Sequence, residues 1–298
     1  MPETLPARLG GPAGRHGWTV KKILDWAAEY FQKNDIENPH LEAEILLAHA
    51  LGMKRIDLYI KFEKELDQNE LSRFKEYVIR RKGHEPSAYI TGIRSFMSLD
   101  FIVTRYVLIP RPETEILVEA AMDIAKNISE PRILDIGTGS GAVAISIAKY
   151  IKTAKVCGTD VSRGAILVAI ENSRKHGVLE RVSFEVADLF PKEAMKFDII
   201  ISNPPYIKSG NINSLAPEIK DFEPNVALDG GDDGLKYYRM ITREAKEHIE
   251  KNGHIIMETD PGLVKEVGLL LNENGFGNII IKKDINGLDR IIMAALEG

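Results

Sequence analysis

The chain has 298 residues, 44% of them hydrophobic and 28% charged, and carries a net charge of −5. That is the composition of a globular protein of one large or two modest domains, and its acidic balance argues against binding dominated by nucleic-acid phosphates. The single cysteine, Cys157, excludes an internal disulfide and a thiolate metal cluster, and seven histidines scattered without ligand spacing give no metal site. Cys157 sits in an apolar run and reads as a core position. No apolar run is long enough to span a membrane and the N-terminus lacks a secretory apolar segment, so a cytoplasmic protein is expected.

Residues 1–17 are rich in Gly, Pro and Arg and read as a disordered extension. Residues 18–86 read as a small helical bundle. Ile23, Trp26, Ala27, Tyr30 and Phe31 recur at helical spacing. Pro39 suits the first turn of a second helix, which carries Ala43, Leu46, Leu47 and Ala50 and ends at Gly52. A short third segment holds Ile56, Leu58 and Tyr59. A fourth helix turns Leu71, Phe74, Tyr77 and Val78 inward, and Gly83 and Pro86 stop it. The segment from Trp18 to Gly92 has 12 basic and 13 acidic residues and so no charge bias of its own. Its Arg80-Arg81-Lys82 run reads as a solvated helix end, with a phosphate or protein contact as the alternative.

Residues 87–109 read as a hairpin linker whose strands lie at 87–92 and 99–104. A helix opens in Ile109-Pro110-Arg111-Pro112-Glu113-Thr114-Glu115. From Arg132 onward strands and helices alternate through residues 110–298, with strands at 132–136, 155–159, 182–186, 197–202, 254–258, 278–282 and 290–295. Helices start near Ala142, Ser162, Leu235 and Leu263. This pattern predicts a doubly wound, mostly parallel seven-stranded α/β sheet, with its ligand crevice at the carboxyl ends of the strands.

Two motifs fall at that crevice. Asp135-Ile136-Gly137-Thr138-Gly139-Ser140-Gly141 follows the first strand and opens a helix. Its glycines let a ligand lie against bare backbone, or simply make a tight strand–helix turn. Asp160 ends the second strand, where a carboxylate can accept both hydroxyls of a ribose; the alternative is a helix cap, a task Ser162 could also perform. Asp188 follows the third strand. It can accept an adenine amino proton, with Leu189 or Phe190 against the ring, or cap a loop.

The second motif is Asn203-Pro204-Pro205-Tyr206, after the apolar strand at 197–202. It suits methyl transfer to a planar nitrogen, the NH2 of an amide or a base. Such a nitrogen has its lone pair spread into a π system and is a poor nucleophile. The Asn203 side-chain oxygen and the Pro204 carbonyl can each accept one N–H, which favours the developing tetrahedral nitrogen. The prolines lock the direction of that carbonyl, and the Tyr206 face can hold a flat substrate. Adenine, ribose and methyl-transfer positions together read as S-adenosyl-L-methionine, with S-adenosyl-L-homocysteine as product.

From Trp18 to its C-terminus the chain resembles the release-factor glutamine N5-methyltransferases, the PrmC or HemK family. The resemblance is carried by Tyr89-Ile90-Thr91-Gly92, the run from Ile109 to Glu115, Leu134-Asp135-Ile136-Gly137-Thr138-Gly139-Ser140-Gly141, Asn203-Pro204-Pro205-Tyr206, and Phe222-Glu223-Pro224 through Ala227-Leu228-Asp229-Gly230-Gly231 to Asp233-Gly234-Leu235. It implies that the protein substrate is the glutamine of the Gly-Gly-Gln motif of class-I peptide chain release factors. It implies a cofactor site of Asp135, Gly137, Thr138, Gly139, Ser140, Gly141, Asp160, Asp188 and Leu189, with Asn203 at its edge. Asn203, Pro204, Pro205 and Tyr206 would hold the glutamine amide, with Asn203, Pro204 and Tyr206 as the catalytic group, and the helical bundle would help dock the release factor. Relatives that modify a ribosomal protein read Pro-Arg-Ser-Pro where this chain has Pro110-Arg111-Pro112-Glu113.

Glu113 and Thr114 read equally as cleft-lining residues or helix-start caps. The loop from Ile207 to Asp233 is long enough to cover a substrate; its Glu218 and Glu223 read equally as solvated. Two positions depart from the family pattern. Glu258-Thr259-Asp260-Pro261-Gly262 stands where the family has Glu-Ile-Gly and a Gln, which leaves Glu258 and its neighbours without an assigned role. Leu189 replaces an aromatic, so adenine packing is expected to be aliphatic. Two rival readings remain: a nucleic-acid methyltransferase acting on adenine N6 or guanine N2 of a flipped base, and a cofactor-binding scaffold without catalysis. The acidic balance, the helical segment and the Pro-Arg-Pro-Glu-Thr-Glu run speak against the first, so no nucleic acid is expected as partner. The intact Asn203–Tyr206 motif speaks against the second. No dimer seam is visible, and a monomer is expected.

Overall fold

A computed structural model describes residues 17–297. The extension expected at 1–17 lies outside the described residues except for Gly17. The chain divides into two compact units, one up to Thr91 and one from Gly92.

The first unit is helical. Its elements are α1 (Val20–Gln32), α2 (Pro39–Leu51), α3 (Arg55–Ile60), α4 (Gln68–Lys82) and α5 (Ser87–Thr91). Helix starts are set by local chemistry: the Thr19 hydroxyl accepts from Lys22 N, Pro39 occupies the first turn of α2, and Asp67 with Glu70 makes a capping box for α4. Gly52, at φ +62°, ends α2 in a left-handed conformation that suits glycine. Ile23, Ala27, Phe31, Leu46, Leu47, Phe74 and Val78 close the core at zero exposure.

Two expectations in this unit are corrected. Residues 87–91 are helical, not the first strand of a hairpin, because the amides of Tyr89 and Ile90 turn back to the Pro86 carbonyl and Thr91 Oγ1 bonds the Ser87 carbonyl. Ile90 packs into the bundle core, so alternation over five residues was a turn of helix. The basic run at the end of α4 is not uniformly solvated. Arg81 is 4% exposed and its Nε donates to Glu42 on α2 at 2.5 Å, an ion pair within the bundle. Arg80 pairs with Glu85 at 2.8 Å.

The second unit opens with a hairpin, β1 (Ile93–Phe96) and β2 (Leu99–Ile102), closed by Met97 and Ser98, both at positive φ. A 3-10 turn over Pro112–Thr114 leads into α6 (Glu115–Ala125). Then follow β3 (Arg132–Ile136), α7 (Ala142–Tyr150), β4 (Lys155–Asp160), α8 (Arg163–His176), β5 (Val182–Val186), β6 (Phe197–Ser202), α9 (Pro217–Lys220), α10 (Lys236–His248), β7 (Ile249–Glu258), α11 (Val264–Glu273), β8 (Phe276–Lys283) and β9 (Asp289–Leu296).

The sheet has seven strands in the order β5-β4-β3-β6-β7-β9-β8. The first five are parallel, and β9 runs antiparallel to both its neighbours. This is the mostly parallel, doubly wound sheet that the strand–helix alternation implied. Successive strand residues serve opposite faces, as the pleat requires. Ile133, Ile199, Ile201 and Ile256 pack with α6 and α7, whereas Leu134, Ile200, Ile255 and Met257 pack with α10 and α11. Cys157 lies in the second of these cores, where burial pushes its thiol above the ordinary value. The strand order reverses at β3 and β6, which pair Ile136 with Ser202 at their carboxyl ends. Gly137 and Asn203 therefore emerge side by side, at the switch point where an open α/β sheet leaves a crevice.

Candidate active site

After β3 the chain turns through Gly137, Gly139 and Gly141, at φ +73°, +55° and +78°. L-residues adopt these angles rarely and under strain, and at Gly141 a Cβ would also lie 2.8 Å from Ile145. Asp135 holds the turn from beneath. It is 2% exposed and accepts from Thr138 Oγ1 at 2.6 Å and from the Ala144 amide at 3.2 Å. Burial pushes its carboxyl up to about 6. The buried Ser140 gives its carbonyl to Asn172.

Asp160, at the end of β4, has both carboxylate oxygens engaged. One accepts from Gly139 N at 3.0 Å and the other from Ser162 N at 2.8 Å. Burial raises its pKa against the pull of these two amides. The cap of α8 is Ser162, whose hydroxyl accepts from Ala165 N at 3.2 Å, so Asp160 is released from that task. Beyond β5, the exposed Asp188 carboxylate has no partner among the described residues. Leu189 sits at φ +70°, held by a hydrogen bond from Thr159 Oγ1 to its carbonyl at 2.5 Å.

At the end of β6, Asn203 Nδ2 donates to Thr114 Oγ1 at 3.1 Å, and Thr114 Oγ1 donates to Glu258 Oε2 at 2.6 Å. Thr114 and Glu258 are buried, at 5% and 2% exposure. Thr114 makes no side-chain cap to α6 and lines neither of the cavities at this motif, so it takes neither of its two expected roles. The backbone of Tyr206 is wrapped by residues 228–236: Ile207 N bonds Leu228 O, Gly230 N bonds Ile207 O, and a Cβ at Gly230 would fall 2.7 Å from Tyr206 Cα. Burial, with the Glu258 carboxylate nearby, pushes the Tyr206 phenol up to about 12.

Two cavities meet at this motif. The larger, about 270 Å³, is lined by Gly137, Gly139, Asp160, Asp188 and Leu189 on one side and by Asn203, Pro204 and Pro205 on the other. The smaller, about 150 Å³, is lined by Arg111, Tyr206, Ile207, Ile219 and Leu228 together with the same Asn203, Pro204 and Pro205. Of the expected site residues, Asp135, Thr138, Ser140 and Gly141 lie outside both linings and shape the turn.

A PrmC N-terminal domain matches residues 22–92 and a methyltransferase small domain matches residues 112–219. The chain is 41% identical over 276 residues to the release factor glutamine methyltransferase of Geobacter sulfurreducens, covering 92% of this chain and 96% of that protein. The chain belongs to the release factor glutamine methyltransferase family. Its identity to the family member of Clostridium acetobutylicum is 40% over 282 residues, covering 94% of this chain and 99% of that one. Among solved structures, the hMettl16 catalytic domain superposes with a TM-score of 0.56 at 13% identity, over 73% of this chain and 82% of that domain, a likeness of fold.

Three features of this family member go beyond the site residues assigned from the sequence. Thr114 and Glu258 stand behind Asn203. Arg111 forms an ion pair at 2.6 Å with Glu223, which is buried rather than solvated. Tyr106 lines the larger cavity and its ring fits against Gly164. The Pro-Arg-Pro-Glu-Thr-Glu run was the available signal for Arg111 and Thr114; Glu258 and Tyr106 had none.

Proposed function

We propose that this chain transfers the methyl group of S-adenosyl-L-methionine to the side-chain N5 nitrogen of the glutamine in the Gly-Gly-Gln motif of class-I peptide chain release factors. The observation that carries the reading is the shared wall of Asn203, Pro204 and Pro205 between the two cavities. A cofactor in the larger space and a glutamine side chain in the smaller would meet across it.

The larger cavity fits the cofactor on its own chemistry. Gly137 and Gly139 offer bare backbone, Asp160 is fixed in place by two amides with lone pairs to spare, and Asp188 is an uncommitted carboxylate. When bound, S-adenosyl-L-methionine supplies an electrophilic methyl on a sulfonium and leaves as S-adenosyl-L-homocysteine. The ribose hydroxyls are assigned to Asp160, the adenine amino group to Asp188, and the adenine face to Leu189. Asp135, Thr138, Ser140 and Gly141 hold the turn that presents Gly137 and Gly139.

In the smaller cavity, Asn203 Oδ1 and the Pro204 carbonyl accept the two N–H groups of the glutamine amide. That draws its lone pair out of conjugation as the nitrogen becomes tetrahedral. Tyr206 packs the amide plane. Positioning provides most of the acceleration. No strong base is required, because the alkylated amide is acidic enough to shed its proton late. The helical residues 18–86 are assigned to docking the release factor, the hairpin region within 87–109 to a linker, and residues 110–298 to transfer. A release-factor substrate favours a cytoplasmic location, which is the one assigned with this reading.

The test is transfer of labelled methyl from S-adenosyl-L-methionine to a panel: a release factor, the same factor with its Gly-Gly-Gln glutamine changed to alanine, ribosomal protein, DNA and tRNA. Label in the unmodified factor alone is the expected result. Label in nucleic acid instead would keep the planar-nitrogen chemistry and overturn the substrate.

A further inference from the structure

An asparagine amide is nearly symmetric in shape, so packing alone does not decide whether its oxygen or its NH2 faces a cavity. Hydrogen-bond bookkeeping does. An ionised Glu258 only accepts, so the single Thr114 hydroxyl proton must go to it, at 2.6 Å. The Thr114 oxygen is then left to accept, and what reaches it at 3.1 Å is Asn203 Nδ2. Burial raises the Glu258 pKa above the ordinary carboxylate value, while the Thr114 hydroxyl donated to it and the Arg290 guanidinium pull the other way, toward the ionised form. The chain of donors therefore runs one way, from Asn203 to Thr114 to Glu258, and it ends in a carboxylate that is 2% exposed.

We propose that Thr114 and Glu258 are positioning residues that set the amide polarity of Asn203, turning its carbonyl oxygen toward the methyl-accepting nitrogen and its NH2 away. This rests on the glutamine-methyltransferase reading above. Reversed, Asn203 would offer N–H donors to a substrate amide that needs acceptors, and the same site would suit a carboxylate. The pair thus also selects glutamine over glutamate. Neither residue touches substrate or cofactor; both act through Asn203.

Thr114→Val keeps the shape and removes the relay, while Thr114→Ser keeps the hydroxyl. In both variants the affinity for S-adenosyl-L-homocysteine, measured by calorimetry, should stay within about threefold of the unsubstituted protein, which controls for fold. With a release factor as methyl acceptor, kcat should fall about tenfold or more in Thr114→Val, with little change in KM, and recover within about threefold in Thr114→Ser. A release factor carrying glutamate in place of the target glutamine should inhibit Thr114→Val more tightly than the unsubstituted enzyme. Glu258→Gln lets position 258 donate to Thr114 and should give a loss between the two Thr114 variants. Full kcat in Thr114→Val, an equal loss in Thr114→Ser, or unchanged inhibition by the glutamate factor would overturn the proposal. Full kcat in Glu258→Gln would remove Glu258 from it. An unsubstituted enzyme that modifies no release factor would instead overturn the underlying functional reading.

Discussion

A side chain at position 164 would collide with Tyr106: a Cβ built on Gly164 lies 2.7 Å from the Tyr106 ring. Gly164 is in the first turn of α8, just past Asp160, Val161 and Ser162, all of which line the larger cavity with Tyr106. The glycine is the seat of an aromatic wall at the end of the cavity assigned to ribose and adenine. Tyr106 is 65% exposed, so it contributes little to the core. Tyr106→Ala, which removes the wall, and Gly164→Ala, which displaces it, should each weaken S-adenosyl-L-homocysteine binding about five- to tenfold, near the 1 kcal/mol expected of an aromatic contact. Calorimetry checks this; thermal unfolding of the free protein should barely move in Tyr106→Ala.

Arg111 and Glu223 join the segment before α6 to the loop after Tyr206. Glu223 is buried with one carboxylate oxygen lacking a hydrogen-bond partner, so Arg111 is its main compensation. Arg111→Ala should destabilise the protein by about 3 kcal/mol by leaving that charge unpaired. The sign with pH follows. Burial already raises the Glu223 pKa, and losing the guanidinium raises it further, so stability is lost as pH rises through the new value. Urea unfolding should show a smaller deficit near pH 5 than near pH 8.

Asp135 gives a second pH signature. Its carboxyl rises from 3.8 to about 6 in the fold, mainly by burial. The protonated form therefore contributes stability that is complete below the ordinary value and lost as pH rises through about 6. The full displacement corresponds to about 3 kcal/mol. Asp135→Asn removes this titration. Relative to the unsubstituted protein, the variant should gain stability, by at least about 1 kcal/mol, between pH 5 and pH 7.5, measured by urea unfolding. A constant difference would contradict it.

The sheet was legible because β3, β4 and β6 are short apolar runs closed by glycine, aspartate or asparagine, and their carboxyl ends carry the chemistry. Asn203–Tyr206 could be read directly, since it is contiguous and its residue types answer one chemical need. The support behind Asn203 could not. Thr114 lies 89 residues before it, and Thr114 and Glu258 are 144 residues apart, joined only once β6 and β7 pair. The departure at Thr259 and Asp260 drew attention away from Glu258, whose carboxylate is buried in place. Residues 87–91 misled for the opposite reason: five residues support either period, and contact with the bundle core decides. Asp135 reads as part of the cofactor motif because it adjoins the glycines, yet its side chain serves the turn.

The most direct test is fragmentation mass spectrometry of a class-I release factor after incubation with S-adenosyl-L-methionine and either the unsubstituted enzyme or Asn203→Ala. The account predicts one added methyl, on the side-chain nitrogen of the Gly-Gly-Gln glutamine, formed more than ~100-fold more slowly by Asn203→Ala. A methyl at any other residue, or equal rates from the two enzymes, would contradict it.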